Sequence, residues 1–157
     1  AAGLTSMAAS RTAGRAARSV GKPCVFCEIV AGRERAFEVL RTDELVAFLD
    51  TRPLFPGHVL LVPVPHVRTY AELPIQLAES WVRTSQRLEG AVERAMDAEG
   101  SLMIVNNVVS QSVPHLHLHV IPRTKGDGLR FWLGPRHPYA SDADAESVAA
   151  RIRAELA

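Results

Sequence analysis

Hydrophobic and polar positions along this chain fall into short blocks of strand character, interrupted by one long block of helical character. Glu38 to Arg41 and Leu45 to Leu49 flank the polar Thr42-Asp43-Glu44, the pattern of a β-hairpin. His58-Val-Leu-Leu-Val-Pro63 is an apolar run of strand length, which predicts burial on both faces. From Pro74 to Ala98 the spacing lengthens: Ile75, Leu77, Trp81, Leu88, Val92 and Met96 predict one long helix with a core-facing stripe, and Gly100 reads as its stop. Leu102 to Asn106 predicts a further strand. Period two returns in the run from Gln111 to Arg123, where His115, His117 and His119 alternate with Leu116, Leu118 and Val120. A strand there puts all three imidazoles on one face and the aliphatic residues in the core. Ser141-x-x-Asp144 is a capping box that opens a last helix, running to about Leu156.

The histidine row changes the reading from architecture to chemistry. Three of the chain's six histidines stand in it. A lone histidine is most often a surface or hydrogen-bonded core residue, but a row of bulky, partly polar side chains gains little from packing. Neutral imidazoles can act as nucleophile, metal ligand and hydrogen-bond donor.

Length and composition bound the alternatives. A chain of 157 residues suits one compact domain, and its 47% apolar content is that of a globular protein. No apolar run approaches the roughly 20 residues that span a bilayer, so no membrane association is expected. The net charge is +1, yet Arg11, Arg15, Arg18 and Lys22 all precede the first acid, Glu28, leaving 14 basic against 17 acidic residues afterwards. The remainder therefore offers no basic stripe for a nucleic acid partner. Residues 1–22 are expected to form a disordered basic tail, an organellar transit peptide being the alternative, and 23–157 the folded domain with its C-terminal helix.

Cys24 and Cys27, the only two cysteines, stand at Cys-x-x-Cys spacing without a secretory leader, which points to a reducing, cytoplasmic setting. By themselves they are a redox pair, half of a zinc site, or coincidence. A thioredoxin-like pair would want a βαβ unit around it, and none follows; zinc wants four ligands, for which His66 and His115 are available. Asp50 ends a strand beside Pro53 and Pro56, where an acid commonly forms a turn. In the loop from Asn107 to Ser112, successive amides and short hydroxyls beside the imidazoles suit an anion.

The run His115-Leu-His117-Leu-His119-Val-Ile resembles the His-x-His-x-His-x-x signature of the histidine triad superfamily of nucleotide hydrolases and transferases. Cys24-Val-Phe-Cys27, Val46-Ala-Phe-Leu-Asp50, Pro56-Gly-His58-Val-Leu-Leu-Val-Pro63 and His66 fall in that family's order and approximate spacing, so the likeness covers roughly Pro23 to Asp127. It implies an α+β fold with an antiparallel sheet of about five strands, one long helix packed on it and a C-terminal helix. It also implies a hydrolase that forms a covalent nucleotidyl-histidine and releases a nucleoside monophosphate, such as AMP, from dinucleoside polyphosphates or related conjugates.

In that likeness His117 is the nucleophile and His115 and His119 complete the catalytic set. Phe26, Ile29 and Phe48 match the apolar positions that hold the base, Asp50 the carboxylate that meets the ribose, Asn106 a site asparagine, and Gln111 and Ser112 the phosphate-side pair. His58 is a secondary candidate. Zinc-bearing members bind the metal through residues matching Cys24, Cys27, His66 and His115, and members are commonly homodimers. Gln111-Ser-Val and Pro122-Arg123-x-x-Gly-Asp127 lean towards the Fhit-like branch; Hint-type phosphoramidate hydrolysis and a phosphorylase remain alternatives. This chain departs from the family in lacking glycines between Asn107 and Ser112, which leaves the shape of that loop open. Two rival readings are a hydrolase whose histidines hold an open catalytic zinc, and a nucleotide-binding module without turnover.

Overall fold

The computed structural model describes residues 23–130 and 136–156. The tail predicted over residues 1–22 lies outside the described residues. The elements are α1 (Val25–Val30), β1 (Glu38–Arg41), β2 (Leu45–Leu49), β3 (Val59–Pro63), α2 (Ala78–Met96), β4 (Gly100–Val105), β5 (Leu118–Arg123) and α3 (Asp142–Leu156). Their arrangement is α+β, with one five-stranded sheet in the order β1-β2-β3-β5-β4 and every neighbouring pair antiparallel.

The hairpin closes because the Thr42 hydroxyl accepts the amides of Glu44 and Leu45, at 3.2 and 3.0 Å. Alternation along the central strands then sorts side chains to two faces. Leu45, Ala47, Val59, Leu61, Leu116, Leu118 and Val120 join Trp81, Leu88 and Val92 of α2 in one buried cluster. Val46, Phe48, Leu60 and Val62 join Phe26 and Ile29 of α1 in the other. β3 is buried on both faces, as its apolar run predicts. Its register places Leu60 beside Phe48 on one side and His119 on the other, so a strand of the core aligns two site positions.

Three predicted details differ from the fold. Ile75 is 79% exposed, because the last turn before α2 is a short 3₁₀ segment that carries it off the helical stripe. The stop of α2 is Asp97, in the left-handed conformation at φ 50° and ψ 41°, while Gly100 opens β4. The regular ladder of β5 begins only at Leu118. Pro114 has no amide to give, the His115 amide turns back to the Val113 carbonyl at 2.8 Å, and the Leu116 amide bonds the Val67 carbonyl at 2.7 Å. His115 and His117 thus sit on an extended lead-in, still alternating with Leu116 and Leu118.

The chain divides into two compact units, one ending at Arg123 and one beginning at Thr124. In the second, the Asp127 carboxylate accepts the amides of Thr124 and Leu129 around Gly126 and Gly128, both at positive φ. α3 follows, its first turn capped by the Ser141 hydroxyl, which accepts the Asp144 amide at 3.2 Å. Among the described residues, no helix is long and apolar enough to cross a membrane.

Leu61 lies at the centre of β3, fully buried against α2. Leu61→Ala is expected to cost about 2–5 kcal/mol of unfolding free energy, through lost transfer energy and the cavity left behind. Chemical denaturation of the two proteins measures it.

Candidate active site

The site stands on the α1 face of the sheet, where β2, β3 and the lead-in to β5 deliver polar groups into an otherwise apolar layer. His117 is 3% exposed, its ring edge-on to Phe26 at 5.2 Å and next to His119 at 4.8 Å between centroids. Its Nδ1 lies 2.7 Å from the His115 carbonyl oxygen. A carbonyl can only accept, so Nδ1 carries the proton. A neutral ring then keeps its lone pair on Nε2.

His115 is fully buried and follows the same logic with the opposite tautomer. Its Nε2–H donates to the Pro63 carbonyl at 2.9 Å, which leaves Nδ1 bare. That nitrogen is 3.6 Å from the sulfurs of both Cys24 and Cys27, and Cys27 Sγ is 3.1 Å from His66 Nδ1. All four donor atoms lie within 4.8 Å of one another. In a tetrahedron with metal–sulfur and metal–nitrogen bonds of about 2.3 and 2.0 Å, a sulfur–nitrogen edge is about 3.5 Å. The cluster therefore has the spacing and donor types of a closed tetrahedral metal site, with the Pro63 carbonyl orienting the His115 ring from behind. Burial and the neighbouring Cys24 push the Cys27 thiol up to about 11, a cost that a dication among the sulfurs would reverse.

A cleft of about 670 Å³ opens in front of His117 and His119. Of the residues predicted from sequence, Phe26, Ile29, Phe48, Asp50 and Ser112 line it together with these two histidines. His115 lies behind it in the cysteine cluster. Asn106 and Gln111 are not among its walls: the Gln111 amide donates to the Arg68 carbonyl at 2.6 Å and accepts the Val108 amide at 3.2 Å. Asn107, which sequence reasoning passed over, accepts the Tyr70 amide at 2.8 Å. These bonds hold a loop in which Val108 and Ser110 take positive φ, 66° and 61°. The turns that glycine would make easily are thus made without it, against the steric preference of a β-branched residue.

Nothing in the spacing of the chain marks Arg35 and Arg52 as cleft residues, whereas His58, a secondary candidate by its place in the sequence, is buried beside the cleft. Arginines at loop positions look like any solvated charge until the chain is folded. Asp50 is turned inward at the end of β2, one carboxylate oxygen accepting the Arg52 amide at 2.8 Å and the other 3.8 Å from His58 Nε2. His58 Nε2 is 2.9 Å from His119 Nδ1. Burial lowers the pKa of His58, His115 and His119; for His119 the nearby His117 and His58 add to the effect and bring it to about 4. These imidazoles are neutral at physiological pH.

A sheet of this order with three alternating histidines, two of them facing an open cleft, defines a class, and comparison agrees. Residues 32–126 match the HIT domain, and the chain belongs to the HIT, or histidine triad, family. The adenylylsulfatase HINT3 of Arabidopsis thaliana is 30% identical over 138 residues, covering 85% of this chain and 69% of that protein. A crystal structure of a HIT family member from Bacillus subtilis is similar with a TM-score of 0.79 and 29% identity, covering 87% of this chain and 99% of that one. A zinc-bound histidine triad family protein from Mycobacterium smegmatis is similar with a TM-score of 0.64 and 29% identity, over 84% and 96% of the two chains.

The lowered histidines tie stability to pH. His58 and His119 bind protons more readily in the unfolded chain, near pH 6.5, than in the folded protein, where His119 titrates at about 4. Stability is therefore expected to be highest above pH 6.5 and to fall as pH drops from 6.5 towards 4. Melting temperatures across that range measure the slope; a flat profile would contradict the burial of neutral rings.

Proposed function

We propose that this protein is a nucleotide hydrolase that works through a covalent nucleotidyl-His117 intermediate. The observation that carries the reading is the 2.7 Å contact of His117 Nδ1 with the His115 carbonyl, which leaves an Nε2 lone pair on a ring lining the cleft. That nitrogen attacks the α-phosphorus; an N–P bond forms as the P–O bond to the leaving group breaks, the electron pair departing on oxygen. The imidazolium so formed keeps its Nδ1–H on the His115 carbonyl, which stabilises the new positive charge. Water then displaces the imidazole, giving a nucleoside monophosphate and returning the ring to its neutral form. Phe26, Ile29 and Phe48 hold the base, Asp50 accepts the ribose hydroxyls, and Ser112 with His119 meets the phosphate oxygens. Gln111, which bonds the Arg68 carbonyl, shapes the phosphate loop from behind.

Substrates of this reading are dinucleoside polyphosphates and related adenylyl conjugates. The resemblance to an adenylylsulfatase favours, as a second reading, an adenylyl group bearing sulfate, which needs no change in the attacking atom. The Cys24, Cys27, His66 and His115 cluster would hold zinc, whose chemistry is structural: four protein ligands leave no position for water, and the metal clamps His115 and with it the start of the histidine run. By likeness to the family, the protein acts as a homodimer.

His117→Ala is expected to lower kcat at least about a thousandfold while the melting temperature changes little. Labelled nucleotide should be trapped on the wild-type protein in an acid-labile bond and not on the variant; turnover near wild type would sink the mechanism. Each chain should carry one zinc, and its removal by chelation, or Cys27→Ser, should lower the melting temperature by at least about 5 °C. Hydrolysis should persist in chelated protein that is still folded, whereas an enzyme with an open catalytic metal would stop at once.

A further inference from the structure

On the sheet face opposite His117, a second cleft of about 500 Å³ runs between the C-terminal half of α2 and the outer strands β1 and β2. It exists because the helix carries only methyl groups where it passes those strands. Leu88 and Val92 reach down into the core, but Ala91 and Ala95 leave open the space over Leu40 and Leu49, which stay half-buried. Met96 closes one end against Gly57, at φ 89°, where an added Cβ would lie 2.5 Å from Met96 Cγ. The volume is within the roughly 300–1,000 Å³ of small-molecule clefts. Leu49 is the one wall residue that it shares with the cleft of His117.

The polar side chains on these walls are two arginines, Arg87 and Arg94. Among the described residues, neither guanidinium has a hydrogen bond or an ion pair. Arg83, by contrast, pairs with Glu79 one turn earlier. No acid stands three or four residues from Arg87, and Asp97, three residues beyond Arg94, forms no ion pair with it. Arg94 folds back along the helix onto Gly90, where an added Cβ would lie 2.9 Å from its Nη1. Glycine is a poor choice for a helix interior, yet here its bare surface seats a cation one turn from Arg87. Two unneutralised charges are thus gathered at the middle of α2. From Gly90 the apolar part of the cleft extends about 9 Å to Met96, at 1.5 Å per residue.

We infer that this cleft binds a medium-chain fatty acid, with its carboxylate on Arg87 and Arg94 and its hydrocarbon along Ala91, Ala95 and Met96. The walls select that class. They offer two cations to an anionic end and no hydrogen-bonding side chain to the rest of a ligand, so a peptide, a sugar or a base would bury polar groups unpaired. An alkyl chain has no such groups to lose and gains by leaving water. Guanidinium forks match the geometry of a carboxylate. The site stands apart from the hydrolase reading, since none of these five residues lines the cleft of His117.

Calorimetric titration of the full chain with sodium decanoate, below its micellar concentration, tests the site. One decanoate should bind per chain, and decyltrimethylammonium, the same tail with the opposite charge, should not bind. Arg87→Ala combined with Arg94→Ala should weaken decanoate at least about tenfold. Ala91→Leu with Ala95→Leu fills the cleft from helix positions that favour leucine, and should abolish binding while the melting temperature is kept. Both arginines are exposed, so their variant keeps the fold and decides the matter should the leucine variant be unstable. A saturating nucleoside monophosphate should not displace decanoate. No binding at millimolar decanoate, equal affinity for the cationic analogue, or unchanged affinity in the arginine variant overturns the inference. So does binding that survives the filled cleft, or displacement by the nucleotide. Self-association of the wild type that the leucine variant abolishes overturns it as well, because a second copy would then cover this face.

Discussion

The site depends on main-chain groups deciding, one histidine at a time, which ring nitrogen bears the proton. The Pro63 carbonyl takes the Nε2–H of His115, and the His115 carbonyl takes the Nδ1–H of His117. The Leu54 amide meets His58 Nδ1 from the other side. Burial favours the uncharged state of His58 and His115, and a neutral imidazole has one hydrogen and one lone pair to distribute, which the backbone assigns in each ring. A carbonyl in a sheet or its lead-in does not rotate when a ligand binds. The rings are therefore oriented before any encounter, and in the proposed reaction little reorganisation would remain to be done.

That arrangement in turn requires the strand register. Leu60 lies opposite His119 across the β3–β5 pair, and Phe48 opposite Leu60 across β2–β3. A slip of one residue would send every one of these side chains to the α2 face and bring leucines to the cleft. The apolar cluster beneath α2 prevents the slip, since Leu61, Leu118 and Val120 would have to leave a closed core. Packing on one face of the sheet is thus what aims the chemistry on the other.

Most of this was legible in the sequence because it rests on period. Short apolar blocks around a polar turn located the hairpin, an unbroken apolar run located β3, helical spacing located α2, and His-x-His-x-His pointed to the candidate site, where Phe26, Phe48, Asp50 and Ser112 come together around His117 and His119. What the sequence hid depends on atoms that every residue shares. The carbonyls of Pro63 and His115 and the amide of Leu54 carry no side-chain signature. The lead-in before Leu118 was read as regular strand because side-chain alternation survives where the ladder of hydrogen bonds does not. Gln111 was expected at the phosphate; its amide is spent on Arg68 instead, a competition between ligand and loop that spacing cannot reveal. The glycine-free turn at Val108 and Ser110 shows the converse, a backbone shape kept although the residues that favour it are gone.

β3 contributes neighbouring leucines to opposite purposes: Leu60 faces the cleft and Leu61 the α2 core. Selection can act on the two through almost separate channels. Changes at Leu60 or Phe48 reshape what the protein accepts while leaving the larger core intact, and changes at Leu61 or Val59 tune durability without touching what is accepted. A scaffold wired in this way can diversify its clients without first spending its resilience, which is a physical reason for one small sheet to serve many relatives with different tasks.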